Sequence, residues 1–82
     1  MKFENFQQIL QHDNDKIKDM GEKAQMYHNS YENNMLSCDE YQELIEDITD
    51  TNKIKKQAEN MNEKILLEQA SIFIQNIFSV VY

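Results

Sequence analysis

Leu36-Ser37-Cys38-Asp39-Glu40-Tyr41 carries the sharpest local signal in the chain. Ser37 is placed to accept a hydrogen bond from the amide three residues on. Glu40, at that third position, can reach back to the amide of Ser37, which completes a capping box. Leu36 and Tyr41 flank the box where a hydrophobic staple sits, so the angle of entry into the helix is also specified. Losing such a cap costs about 1 kcal/mol. Helix is therefore expected from Cys38 almost to Tyr82.

Within that stretch Tyr41, Leu44, Ile45 and Ile48 are the apolar positions, with Asp39, Glu40, Glu43, Glu46, Asp47 and Asp50 on the other faces. Thr49-Asp50-Thr51-Asn52 is weakly helical, and Ile48, Thr51 and Ile54 step three and three, a phase slip like a coiled-coil stammer. The beat resumes through Ile54, Ala58, Met61 and Ile65. A continuous third helix with a bend is the expectation; a break capped by Asp50 or Thr51 is the alternative. Leu66, Ala70, Phe73, Ile77 and Val80 keep a four-three spacing, while Ile65, Leu67, Ile72, Ile74, Phe78, Val81 and Tyr82 fill in around the cylinder. A helix apolar nearly all round must be buried on several sides. The run 72–82 is too short to span a bilayer. Its β-formers, parted by Gln75-Asn76, also fit an extended or hairpin tail.

Before the cap, Phe3, Phe6, Leu10, Asp13, Ile17, Met20, Ala24, Tyr27 and Tyr31 follow at alternating steps of three and four, a heptad beat broken only by Asp13. His12-Asp13-Asn14-Asp15 favours turns and N-caps. The region reads as a short helix from about Lys2 to Gln11 and a second from about Asn14 to Glu32 capped by Asp13, or else as one helix with a polar register-setter. Gly21 marks a place where backbones approach closely, at about 1 kcal/mol relative to Ala. Asn33 and Asn34 tolerate the left-handed C-cap conformation and end the second helix. The short connection to Ser37 makes its neighbours antiparallel.

With no Pro and one Gly in 82 residues, little interrupts helix. The fold class that follows is all-α: one small domain, a helical hairpin or three-helix unit with an N-terminal arm over 1–34 and a long helix over 36–82, packed like a coiled coil. A lone chain of this size has a marginal core. Association is therefore expected through Phe3, Phe6, Leu10, Ile17, Met20, Tyr27, Leu44, Ile48, Ile54, Met61, Ile65, Phe73, Ile77 and Val80, with copies of itself or with a larger protein.

Composition narrows the function. Fifteen acids stand against eight lysines and no arginine, for a net charge of −7, which disfavours nucleic-acid binding. One cysteine excludes an internal disulfide and suits a cytoplasmic or virion protein. Met1-Lys2-Phe3-Glu4-Asn5 has no apolar signal core. Asp39, Glu43, Glu46, Asp47 and Asp50 read as a solvated acidic face, or as an imitation of phosphates offered to a basic host protein. A metal site there would want the Glu-x-x-His pairs of carboxylate-bridged bundles, and no such pair occurs. Asp13-Asn14-Asp15 fails as a calcium loop, because Lys18 stands where Gly is required and Ala24 where Glu is. His12 and His28 lack ligand partners at metal spacing. Cys38, in a first helical turn, has no nameable base, and Tyr27, Tyr31 and Tyr41 read as packing residues with their hydroxyls at the rim. No catalytic residue, metal or cofactor is expected.

The run Lys16-Ile17, Ala24, Tyr27 and then Leu36-Ser37-Cys38-Asp39-Glu40-Tyr41-Gln42-Glu43-Leu44-Ile45-Glu46-Asp47-Ile48 resembles small helical proteins of T4-like tailed bacteriophages, where an LSxxEYxELxxDI segment occurs. The resemblance covers residues 13–70. It implies a phage origin, and so a virion component or a small protein that engages host machinery; it carries over no active-site residues. The apolar C-terminal dozen departs from that group's amphipathic pattern.

Overall fold

The computed structural model describes residues 3–78. Those residues form five α-helices and no strand: α1 (Phe6–Leu10), α2 (Asp15–Glu32), α3 (Cys38–Ile48), α4 (Thr51–Gln57) and α5 (Met61–Phe78). The all-α reading holds, but the long third helix does not. An unbroken helix over 38–78 would be about 60 Å long, whereas the molecule's greatest extent is 38 Å. Two breaks fold it back.

The first break is the Asp50 cap. Asp50 accepts from the Asn52 amide at 2.7 Å, and Thr49 closes α3 by donating its hydroxyl to the Ile45 carbonyl at 2.8 Å. The second was not anticipated. Asn60 accepts from the Glu63 amide at 2.8 Å while the Glu63 carboxylate accepts from the Glu59 amide at 3.0 Å. Asn60-Met61-Asn62-Glu63 thus starts a fresh helix in the manner of a capping box.

The N-terminal region splits as the turn residues suggest, with a different cap. Asn14, not Asp13, accepts from the Lys16 and Ile17 amides, at 2.9 and 3.3 Å. An amide suits this place because its Nδ2 also donates to Glu63 at 2.9 Å, which an aspartate could not do. α2 ends in a Schellman motif: Asn34 is left-handed at φ 61°, Met35 N donates to Ser30 O at 2.8 Å and Asn34 N to Tyr31 O at 3.1 Å. The Ser37–Glu40 box closes with both hydrogen bonds at 3.1 Å.

α2 is the central element and touches α1, α3 and α5. At Gly21 the backbone passes so near α1 that a Cβ would lie 2.6 Å from Ile9 Cγ2. The core joins Phe3, Ile9, Ile17, Met20, Ala24, Tyr41, Ile45, Ile54, Leu67, Ala70, Ile74 and Phe78. Phe6, Tyr27, Tyr31, Leu36, Ile48 and Phe73 pack partly against it. Two phases differ from the heptad beat. α1 buries Ile9 completely and leaves Leu10 half-buried, and α5 buries Leu67, Ala70, Ser71, Ile74 and Phe78 instead of Leu66, Phe73 and Ile77. The restart at Asn60 resets the register, so the beat extrapolated from Ile54 misplaces Met61 and Ile65. Residues 72–78 are helical, which excludes the extended alternative for them. Val80, Val81 and Tyr82 lie outside the described residues.

Candidate functional site

The seams expected to join separate copies are largely consumed inside one. Phe3, Ile17, Met20 and Ile54 are buried; Phe6, Leu10, Tyr27, Leu44, Ile48 and Phe73 are half-buried. Met61, Ile65 and Ile77 remain open, at 64%, 47% and 46% exposure, and Ile72 joins them at 57%. On a helix of 3.6 residues per turn Met61, Ile65 and Ile72 fall within about 40° of one another and roughly opposite Leu67 and Ile74. α5 thus has a buried stripe and an outer face on which Met61, Ile65 and Ile72 flank Glu68. Beside the latter, Phe3, Gln69, Ile72, Phe73 and Asn76 line a groove of about 320 Å³. The Phe3 and Phe73 rings lie 6.4 Å apart and shape its floor. Sequence reasoning placed Ile72 in the tail but did not single it out; the capping signal at Asn60 would have supplied the phase that exposes it.

The acidic face divides. Asp39, Glu43, Glu46 and Asp47 are exposed on α3. Asp47 pairs with Lys53, and Asp50 serves as the α4 cap. Lys16, Lys23 and Lys53 line a polar groove with Asp19 and Asp47. Each ammonium is already held by a carboxylate: Lys16 by Glu63 at 2.6 Å, Lys23 by Asp19 at 3.0 Å, Lys53 by Asp47. No anion site is left open there.

Among the described residues, Tyr41, His28 and Glu32 form an arrangement with a catalytic look. His28 Nδ1 lies 3.1 Å from the Tyr41 hydroxyl and its Nε2 meets the Glu32 carboxylate. A hydroxyl, an imidazole and a carboxylate in that order could pass a proton, but a nucleophile must be reachable. Tyr41 is 2% exposed, with Tyr31 stacked on it at 4.7 Å between ring centroids. Burial, and then the neighbouring Tyr31 and Glu32, push its hydroxyl up to about 12. Tyr41 packs within the core cluster, with its hydroxyl turned to His28. Cys38 is half-buried at the start of α3, and among the described residues no three His, Cys, Asp or Glu converge on a metal-sized space. Among the same residues no helix is long and apolar enough to cross a membrane.

Compared with family models, with curated proteins and with solved structures, the chain has no match.

Proposed function

We propose that this chain is a non-enzymatic structural or assembly protein, phage-encoded, that acts by helix-mediated docking on copies of itself or on a larger protein. The observation that carries the reading is the outer face of α5, where Met61, Ile65 and Ile72 stand open to water on one side of one helix; Met26, Met35 and Ile77 are the other large apolar side chains left open among the described residues. A contiguous exposed apolar patch on a helix face is a mark of an interaction site, and these three side chains share one side of α5. The phage assignment draws on the LSxxEYxELxxDI resemblance, which implies a virion component or a host-directed protein. The burial of the Tyr41 hydroxyl argues against nucleophilic chemistry at the His28 relay.

A second reading is favoured by a different feature. Asp39, Glu43, Glu46 and Asp47 present carboxylates along the outside of α3, spaced as an acidic inhibitor would offer them to a basic protein that handles nucleic acid. Ionic strength separates the two. Apolar docking persists or strengthens as salt rises, while a phosphate-imitating face releases its partner. Light scattering of the full chain, alone and with a basic DNA-binding protein, in low and high salt, is the test. A complex with the basic protein that dissolves on adding salt, from a chain that never self-associates, would replace the first reading with the second.

A further inference from the structure

We propose that two copies of this chain exchange α5: the elbow at residues 58–60 straightens, α4 and α5 become one helix over 51–78, and each α5 seats in the core of the other copy. This goes beyond the docking reading, because the elbow carries it and the outer face of α5 does not.

α4 and α5 form a hairpin. Thr49, which follows α3, accepts from Gln75 near the far end of α5 at 2.9 Å. α4 therefore runs back along α5, on which it packs, and residues 58–60 are the tip. The tip holds no Gly or Pro. Ala58, of the residue type with the highest helix propensity, already has a helical φ of −71° and departs from helix only in ψ, at 129°.

Three backbone groups that a continuous helix would pair along its axis are met by side chains instead. Lys16 donates to the Gln57 carbonyl at 2.8 Å, the Glu59 amide donates to Glu63 at 3.0 Å, and the Glu63 amide to Asn60 at 2.8 Å. Straightening returns each group to a helical partner. Bent and straight forms thus both satisfy these groups of the tip.

What the opened elbow exposes selects the occupant. Leu67, Ala70, Ile74 and Phe78 leave one core, and the surface shaped to receive them is the same core in a second copy. Contacts between the copies are then those made within one, so the charge of −7 adds repulsion only where the two straight helices cross. Between Asp50 and Glu68 the chain has four lysines and two glutamates, so the acid excess is absent there. Ala58 and Met61, one helical turn apart, meet their counterparts at the crossing, which takes Met61 out of water.

The test refolds the full chain from denaturant at micromolar and at millimolar concentration and sizes the products by sedimentation. A two-copy species is expected at the higher concentration. In a Cys38→Ser background, spin labels on Lys55→Cys and Asn76→Cys, both exposed positions, are diluted into unlabelled chain. They are expected about 32 Å apart in the two-copy species, the length of 21 helical residues, and closer in the single copy. Met61 is the first residue of α5, where proline is well tolerated, but in the straight helix it is interior and proline breaks it. Met61→Pro is therefore expected to abolish the two-copy species and leave a folded single copy, while Met61→Ala keeps both. A chain that stays single after every refolding overturns the exchange and leaves the functional reading to its salt test. Two-copy species with the label distance of the single copy overturn it while docking between copies stands. Exchange that survives Met61→Pro overturns the straightened elbow.

Discussion

Lys16 and Glu63, 47 residues apart, meet with ammonium and carboxylate at 2.6 Å. The pair bolts the start of α2 to the start of α5. Lys16 also donates to the Gln57 carbonyl at 2.8 Å, and Asn14 donates to the other Glu63 oxygen at 2.9 Å. The turn before α2 and the break before α5 are therefore held by one cluster, and its chemistry is open to titration.

The Lys16 hydrogen bond, then the Glu59 amide and Asn14, hold the Glu63 carboxyl at about 2, below its ordinary 4.5. A carboxyl depressed in the folded state stabilises above its unfolded value and loses that contribution as pH falls through its folded one. Stability is expected to drop between pH 4.5 and 2, and Glu63→Gln to flatten that part of the profile. Urea unfolding at a series of acidic pH values checks it; an unchanged slope in the variant would remove the cluster from the account.

Gly21→Ala sets two effects against each other. Alanine gains about 1 kcal/mol of helix propensity, but its Cβ would sit 2.6 Å from Ile9 Cγ2, a β-branched group with no exposure. Overpacking costs on the order of 1–3 kcal/mol, so the variant is expected to be less stable on balance. Chemical denaturation measures the sign.

At Asn34 the left-handed backbone decides. Asn34→Ala is expected to cost about 1–2 kcal/mol, and Asn34→Gly nothing or a small gain. Thermal unfolding of both variants reads the difference; equal midpoints would mean that the Schellman turn does not form.

Ile72 and Ile74 differ by two positions and should behave oppositely. Ile74→Ala removes a fully buried side chain and is expected to cost about 2–5 kcal/mol. Ile72→Ala is expected to stay within about 0.5 kcal/mol in dilute solution. The reverse order would mean that α5 is rotated about its axis.

Local chemistry was legible; phase was not. Ser37 with Glu40, Asn34 and Gly21 each act as their side chains dictate, because caps, left-handed turns and close approaches depend on a few neighbouring atoms. Asp50 was readable as a cap only as an alternative to a bend, since continuity and a break put similar residues at similar steps. Asn60-Met61-Asn62-Glu63 has the same capping pattern as Ser37–Glu40, but the apolar beat from Ile54 through Met61 and Ile65 runs across it and masks the start. Once it is read as a start, Met61, Ile65 and Ile72 turn outward and Leu67, Ile74 and Phe78 inward. Why Ile9 is wholly buried over Gly21 while Leu10, also in contact there, is only half-buried depends on how α1 crosses α2, which no local pattern encodes.

The claim that copies of the chain associate through the outer face of α5 is tested most directly by methyl NMR of the full chain over a dilution series. The Ile72, Ile65 and Met61 methyls are predicted to shift with protein concentration while those of Ile9, Ile17 and Ile74 hold still. Methyls that ignore concentration, or movement confined to Ile45 and Ile48 on α3, would contradict it.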